Sequence, residues 1–127
     1  TLGKKAGMYI KKGSAWLPDS FSHEQSLAVD TERGMMVFNS CSHGGADNII
    51  REMALTWPDR HIYGIVGGLH LFRSSDEEVR ALAGRIRETG IEVIYTGHCT
   101  GEHQFEILKE ELGDVVRPLY TGLEIVV

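Results

Sequence analysis

Three histidines stand out because each follows an apolar run and has a glycine within two residues. They are His43, His70 and His98. Short apolar runs of this kind indicate strands, and the carboxyl ends of parallel strands share the sheet edge where ligands bind in α/β folds. Imidazole nitrogens are common ligands for zinc and similar metals. The spacing therefore predicts that these histidines converge on a metal site.

Two cysteines, Cys41 and Cys99, add thiols to the same predicted edge. A thiolate raises the affinity of a site for a soft or borderline metal. The alternatives are two buried apolar side chains or a redox pair, and the lack of Cys-x-x-Cys spacing disfavours the redox role. His70 also has an ordinary alternative, because the segment 69–72 is apolar enough to hold it as a core-edge residue.

Glycine-rich turns precede two of the predicted helices. Backbone N–H groups at a helix N-terminus bind phosphate or carboxylate well. We therefore predict anion or substrate binding at Gly44, Gly45, Thr100 and Gly101. The acidic residues that follow them are alternatively simple helix caps.

The elements that must position these residues repeat as strand, turn and helix. A hairpin signal at 25–39, with Gly34 in its turn, makes the sheet mixed. The predicted helices are Ala46–Thr56, Asp76–Glu88 with a Ser75/Glu78 capping box, and Glu102–Leu112. The predicted strands after the hairpin are Ile62–Val66, Val93–Tyr95 and a last one at Leu123–Val127.

The front of the chain has a different pattern. Residues 1–22 are predicted to be an irregular segment with a possible short strand at Met8–Ile10 and a loop at Gly13–Ser20. Residues 23–127 are predicted to form the α/β domain, with a mixed sheet and helices on one face.

Composition limits the classes of function. The chain has 127 residues, enough for one domain, and carries 13 basic and 18 acidic residues for a net charge of −5. This charge argues against a nucleic-acid or membrane partner, and no apolar run approaches the roughly 20 residues that span a bilayer. The two cysteines favour reduced thiols and a cytoplasmic location over a disulfide framework.

Four segments in a fixed order are more distinctive than any one of them. They are DSFSHEQSL at 19–27, FNSCSHGG at 38–45, GGLHL at 67–71 and GHCTG at 97–101. Together they resemble one branch of the metallo-β-lactamase superfamily, that of the dihydropterin ribofuranosyl-aminobenzene phosphate synthase-like proteins, often called metal-dependent hydrolases. The resemblance covers about residues 19–127.

This resemblance implies an αββα sandwich with a metal site, often dinuclear, at one sheet edge. Cys41 falls near the position where many members place a bridging aspartate, and His43 follows as the better ligand. His98 matches the last histidine motif, a ligand of the second metal. His70 is expected to face the site as the catalytic residue, contacting metal or substrate. The cofactor expected is a divalent metal, zinc first, with iron or manganese as alternatives.

The departure from the superfamily pattern is equally informative. The main ligand motif, His-x-His-x-Asp-His, is absent from the sequence. The chain is therefore expected to be the C-terminal half of such a fold and inactive alone, as a fragment, a split subunit or a self-associating half. Each of these predicts a large apolar surface, covered by the missing N-terminal half or by a second copy.

The sequence is consistent with two functions. The first is part of a metal-dependent hydrolase, in which metal-bound hydroxide attacks a phosphate- or carboxylate-bearing small molecule. The second is a non-catalytic half-domain that serves as an assembly module or is a degenerate remnant.

Overall fold

A computed structural model describes residues 7–127 of the chain. It contains seven strands, three α-helices and two short 3₁₀ turns, at His98–Thr100 and Gly113–Val115. In chain order the strands and helices are β1 (Tyr9–Lys12), β2 (Ala15–Pro18), β3 (Ser26–Thr31), β4 (Gly34–Asn39), α1 (Ala46–Thr56), β5 (Ile62–Val66), α2 (Asp76–Glu88), β6 (Val93–Thr96), α3 (Glu102–Leu112) and β7 (Val116–Pro118).

The main sheet has five strands in the order β3-β4-β5-β6-β7. β3 and β4 pair antiparallel as the predicted hairpin, and the other three pairings are parallel. The mixed α/β fold predicted from the sequence is confirmed. Because β4, β5 and β6 run in the same direction, the loops that follow them lie at one edge of the sheet.

The three helices share one face of this sheet. Their apolar sides pack on alternate strand residues, such as Val37, Ile65 and Ile94, in a single buried core. The predicted capping box opens α2: the Ser75 hydroxyl accepts from the Glu78 N–H, and the Glu78 carboxylate accepts from the Ser75 N–H. Rigid strands and capped helices therefore hold the loops that carry the histidines.

The opposite face of the sheet is apolar, and none of the helices in residues 7–127 packs on it. Met36, Val66 and Val93 are buried there against the C-terminal segment, chiefly Leu119 and Ile125. Nearer the β3 edge the same face is open, with Leu27, Val29 and Phe38 exposed at 63%, 43% and 40%. The strand register places Leu27 beside Phe38 and Val29 beside Met36. The apolar surface predicted for half of a sandwich is present, and we call it the open face.

Two local predictions were wrong. The expected loop at Gly13–Ser20 contains β2, because Gly13 at φ 63° and Ser14 form a two-residue turn that pairs β1 with β2. The expected strand at Leu123–Val127 is not a strand. The last residues lie instead on the side of the sheet opposite the helices, where Ile125 packs against the buried Met36, Val66 and Val93. No helix among residues 7–127 is long and apolar enough to cross a membrane.

Candidate metal site

Cys41, His43 and His70 form a cluster at the predicted sheet edge. One ligand atom from each lies within 4.8 Å of the others, and all three residues are half-buried. Cys41 and His43 follow β4, whereas His70 follows β5. The Cys41 Sγ is 3.2 Å from the His70 Nδ1. Two strand ends that are far apart in sequence thus bring one sulfur and two imidazoles together.

This donor set fits a zinc-like ion. With Zn–S near 2.3 Å and Zn–N near 2.0–2.1 Å, tetrahedral ligands place sulfur and nitrogen about 3.6 Å apart. The Cys41 Sγ–His70 Nδ1 distance of 3.2 Å needs only a small adjustment to reach that value. Three protein ligands also leave one position for water or substrate, which is the arrangement of catalytic zinc sites.

The turn after β4 is shaped by the buried Asn39 side chain. Its Oδ1 accepts from the N–H groups of Cys41 at 3.1 Å and Ser42 at 2.5 Å, and from the Ser42 hydroxyl at 3.1 Å. Its Nδ2 donates to the Ser26 hydroxyl at 2.8 Å. This side chain therefore ties the site loop to β3 and directs Cys41 and His43 out of the core.

Backbone strain is concentrated around the cluster. Within residues 7–127, positive φ at a non-glycine residue occurs at Phe21 (51°), Ser42 (47°), His70 (50°) and His98 (53°). All four lie in loops at this edge. Such conformations persist when the surroundings fix them, and they concentrate at functional sites. The pattern therefore supports a functional role for this edge.

Glu24 holds His43 in place, a role that the sequence analysis missed. Its Oε1 accepts from the His43 N–H at 2.8 Å and lies 2.9 Å from the His43 Nδ1, while its Oε2 accepts from the Gly44 N–H at 3.0 Å. A carboxylate on Nδ1 fixes the ring and leaves Nε2 as the ligand atom, the usual outer support of a metal-bound histidine. The β3–β4 register pairs Ser26 with Asn39 and so places Glu24 near this loop. The predicted hairpin was therefore the sequence signal for this contact.

Two aromatic rings flank the histidines. Phe21 stacks on His43 with ring centroids 4.3 Å apart and an interplanar angle of 20°. Phe72 meets the His70 ring edge-on at 5.2 Å. The hydrophobic shell of a metal site limits solvent access and lowers the local dielectric. Both phenylalanines therefore favour charge interactions within the cluster.

The second cysteine also reaches the cluster. The Cys99 Sγ lies 3.0 Å from the Cys41 Sγ. Burial, followed by the hydrogen bond with Cys99 and the charges of Cys99 and Glu24, raises the pKa of Cys41 to about 12. Without metal, Cys41 is therefore a neutral thiol at pH 7. A metal that binds it must displace this proton.

His98 is not part of the three-residue cluster. Its side chain is exposed on the 3₁₀ turn after β6. It borders a separate cavity of about 590 Å³ that Thr96, Gly101 and the first turn of α3 also line. Its assignment as a metal ligand stays a prediction.

The four residues predicted to bind an anion have partners within the chain. Gly44 donates its N–H to Glu24, and Gly45 donates its N–H to the Ser42 carbonyl at 2.9 Å. The buried Thr100 hydroxyl accepts from the Leu69 N–H at 3.0 Å, and Gly101 is the N-terminal cap of α3. The Glu24 carboxylate thus occupies the Gly44 position expected for a substrate anion, and anion binding at all four residues stays a prediction.

A solved structure of a metal-dependent hydrolase of the β-lactamase superfamily matches with a TM-score of 0.87 and 36% identity, over 94% of this chain and 46% of that one. The chain has a metallo-β-lactamase-like fold. The resemblance expected from the four ordered segments is confirmed.

A curated relative gives a second comparison with this fold family. The 7,8-dihydropterin-6-methyl-4-(β-D-ribofuranosyl)-aminobenzene-5′-phosphate synthase of Methanocaldococcus jannaschii is 27% identical over 116 residues, which is 91% of this chain and 40% of that protein. No protein-family model matches the chain. The chain therefore spans less than half the length of both relatives, so it carries part of the metallo-β-lactamase-like fold.

Proposed function

We propose that this chain supplies part of the metal centre of a metal-dependent hydrolase. Cys41, His43 and His70 would hold a divalent metal, zinc first. The observation that carries the proposal is the convergence of these three ligand atoms within 4.8 Å. A divalent metal at this position would supply Lewis acidity and would activate water for hydrolysis.

The chain's own residues would prepare that centre. Glu24 holds the His43 ring so that Nε2 is available, and Asn39 fixes the backbone on which Cys41 and His43 sit. Phe21 and Phe72 exclude water from one side of the imidazoles. Together these contacts preorganise the ligands, so that little ordering is left for the binding step.

The proposed substrate is a phosphate- or carboxylate-bearing small molecule. The name of the Methanocaldococcus relative contains a 5′-phosphate, which favours the phosphate class. The same name describes a synthase, and this favours a second candidate function, a non-hydrolytic reaction at the same centre. Release of phosphate or of an acid from a panel of phosphoesters and carboxylic esters would favour hydrolysis. Substrate turnover in H₂¹⁸O with no ¹⁸O incorporated into the products would favour the second candidate.

The open face supports a partner in the proposal. Leu27, Val29 and Phe38 are too exposed for a sheet face that stands alone in water. Both relatives are more than twice as long as the matched part, as the shares of 46% and 40% require. We propose that further chain of the same fold, or a second copy, covers this face. The proposal includes a cytoplasmic location, where reduced thiols persist.

The test is zinc affinity in matched variants of the full chain. We expect His43→Ala, His70→Ala and Cys41→Ala each to weaken zinc binding, measured by competition with a chromogenic chelator. His61→Ala is the matched control, because His61 is exposed and pairs with Glu92 at 3.6 Å away from the cluster. His98→Ala tests the second predicted ligand.

The outcomes separate the alternatives. Loss in the three cluster variants, with His61→Ala unchanged, supports the proposal. Additional loss in His98→Ala extends the site to His98. Wild-type affinity in all three cluster variants contradicts the proposal and leaves the non-catalytic half-domain as the better account.

A further inference from the structure

The proposed metal site does not require the close approach of Cys41 and Cys99. The two sulfurs are 3.0 Å apart, well inside the contact distance of two unbonded sulfur atoms. Both residues are free cysteines and half-buried, and the chain has no other cysteine. A disulfide has an S–S length of about 2.05 Å, so each sulfur would move by only about 0.5 Å.

The topology explains why residues 58 positions apart meet. Cys41 follows β4 and Cys99 follows β6, with the end of β5 between them. Gly68 lies at that crossing, and a Cβ on it would sit 2.5 Å from the Cys99 Sγ. The Gly68 N–H also donates to the Ser40 carbonyl at 3.1 Å, which draws the Cys41 loop inward. The missing side chain at Gly68 is therefore what lets the Cys99 sulfur reach Cys41.

The two sulfurs stand closer together than two thiolates that share one metal ion would. Two thiolates on one tetrahedral zinc, with Zn–S near 2.3 Å, stand about 3.8 Å apart. The observed 3.0 Å is shorter than that value. It lies on the path from two thiols to a disulfide.

We propose that Cys41 and Cys99 form a reversible intramolecular disulfide, which makes the pair a redox modification site. The co-reactant is a two-electron oxidant of the peroxide class. One sulfur attacks a peroxide oxygen, the O–O bond breaks, and a sulfenic acid and one water form. The second sulfur displaces hydroxide from the sulfenic acid, and the S–S bond and a second water form. Two thiols thus lose two electrons and two protons to hydrogen peroxide.

Bond formation rests on geometry alone, but its effect on metal rests on the proposed function. A Cys41 sulfur in a disulfide is no longer available as a thiolate ligand. Oxidation would therefore remove one of the three proposed ligands and weaken metal binding. Bound metal would conversely protect Cys41 from the oxidant.

The test uses the full chain, reduced, stripped of metal and treated with one equivalent of hydrogen peroxide. We expect both thiols to disappear together and non-reducing peptide mapping to show a Cys41–Cys99 link that dithiothreitol reverses. Cys41→Ala and Cys99→Ala are controls and should trap a sulfenic acid that dimedone labels. Persistent thiols, sulfinic acid or intermolecular dimers in place of the link would overturn the proposal.

Gly68→Ala is the test variant, because it retains both thiols while its new Cβ would meet the Cys99 sulfur at 2.5 Å and the Ser40 carbonyl at 3.0 Å. We expect it to slow intramolecular bond formation by at least about tenfold, since the rate depends on the effective concentration of the second thiol. An unchanged rate in a folded Gly68→Ala protein would overturn the geometric argument.

The effect of zinc on the oxidation rate distinguishes the disulfide proposal from the proposed function. Preloaded zinc should slow the oxidation by about tenfold or more, as expected for a sulfur held by metal. A disulfide that forms at the same rate with and without zinc, in a protein that binds no zinc, would contradict the proposed metal site and leave the disulfide standing. Zinc binding in a protein that forms no disulfide would contradict the disulfide and leave the proposed metal site standing.

Discussion

Replacement of Glu24 by glutamine tests whether this carboxylate sets the metal affinity of His43. The carboxylate accepts from two backbone N–H groups and lies against the His43 Nδ1, and its side chain is only 9% exposed. A glutamine amide has one acceptor oxygen and one donor nitrogen. Whichever way it turns, its NH₂ group faces an N–H that Glu24 satisfies, so at least one donor loses its partner.

The structure sets the size of the effect. An unsatisfied buried donor costs about 1–3 kcal/mol, and outer-shell partners of metal ligands contribute about 10–100-fold in metal affinity. We therefore expect Glu24→Gln to lower the free energy of unfolding by about 2 kcal/mol and zinc affinity by at least about tenfold. Glu92→Gln is the matched control, because Glu92 pairs with His61 at 3.6 Å on the surface.

The assay has two readouts on each purified variant. Denaturant unfolding of the metal-free protein gives the stability change, and chelator competition under native conditions gives zinc affinity. Circular dichroism confirms that the variant is folded before metal is added. Zinc affinity within about twofold of wild type in a folded Glu24→Gln protein would refute the positioning role, since the expected range begins near tenfold.

Three further predictions follow from other parts of the chain. Phe38→Asp should reduce concentration-dependent association through the open face, and sedimentation that shows a wild-type monomer at every concentration would contradict this. Asp47→Ala should lower the free energy of unfolding by about 2 kcal/mol in denaturant titrations, because the buried carboxylate bonds the Arg85 side chain at 2.8 Å. A change below about 0.5 kcal/mol, typical of surface substitutions, would contradict it. The pKa of Cys41, raised to about 12, keeps it a thiol at neutral pH. Its alkylation rate in metal-free protein should therefore keep rising with pH above pH 9, and a plateau near pH 9 would contradict this. Cys99→Ala should lower the pKa of Cys41, because the hydrogen bond with Cys99 helps to raise it.

Much of the fold was predictable because local pattern and tertiary packing agree. The bounds predicted for α1, β5, α2 and α3 are those observed. In these elements helical or strand periodicity ends at glycine or at a capping residue, so sequence and packing point to one structure. The missed strand β2 lacks that signal, because all four of its residues are exposed.

The terminal prediction failed for a different reason. Leu123–Val127 has strand-forming residues, but strand propensity depends strongly on packing context. The shorter β7 precedes it and takes the edge beside β6. Ile125 packs instead on the face of the sheet, so tertiary packing overruled a local propensity that a window of sequence reports.

The site was predictable where it depended on topology. Convergence of Cys41, His43 and His70 follows from parallel strands that end at one edge. His98 follows the same rule in sequence, but the 3₁₀ turn and its φ of 53° leave its side chain exposed and outside the cluster. Contacts that depend on side-chain reach, such as the Cys41–Cys99 approach, needed the packed structure.

Oxidation and loss of Cys41 should have the same effect on zinc. Asn39 holds the loop backbone at Ser42, and Glu24 holds the backbone and ring of His43, through contacts that do not involve the Cys41 sulfur. A disulfide would therefore remove Cys41 as a ligand and leave His43 in place. We expect peroxide-oxidised wild type and reduced Cys41→Ser to bind zinc with the same affinity, and oxidation of Cys41→Ser to cause no further loss. Two changes that act through one interaction are non-additive in this way. An oxidised wild type far weaker than Cys41→Ser would mean that the new bond distorts the loop, and the independence of Asn39 and Glu24 from Cys41 would then be wrong.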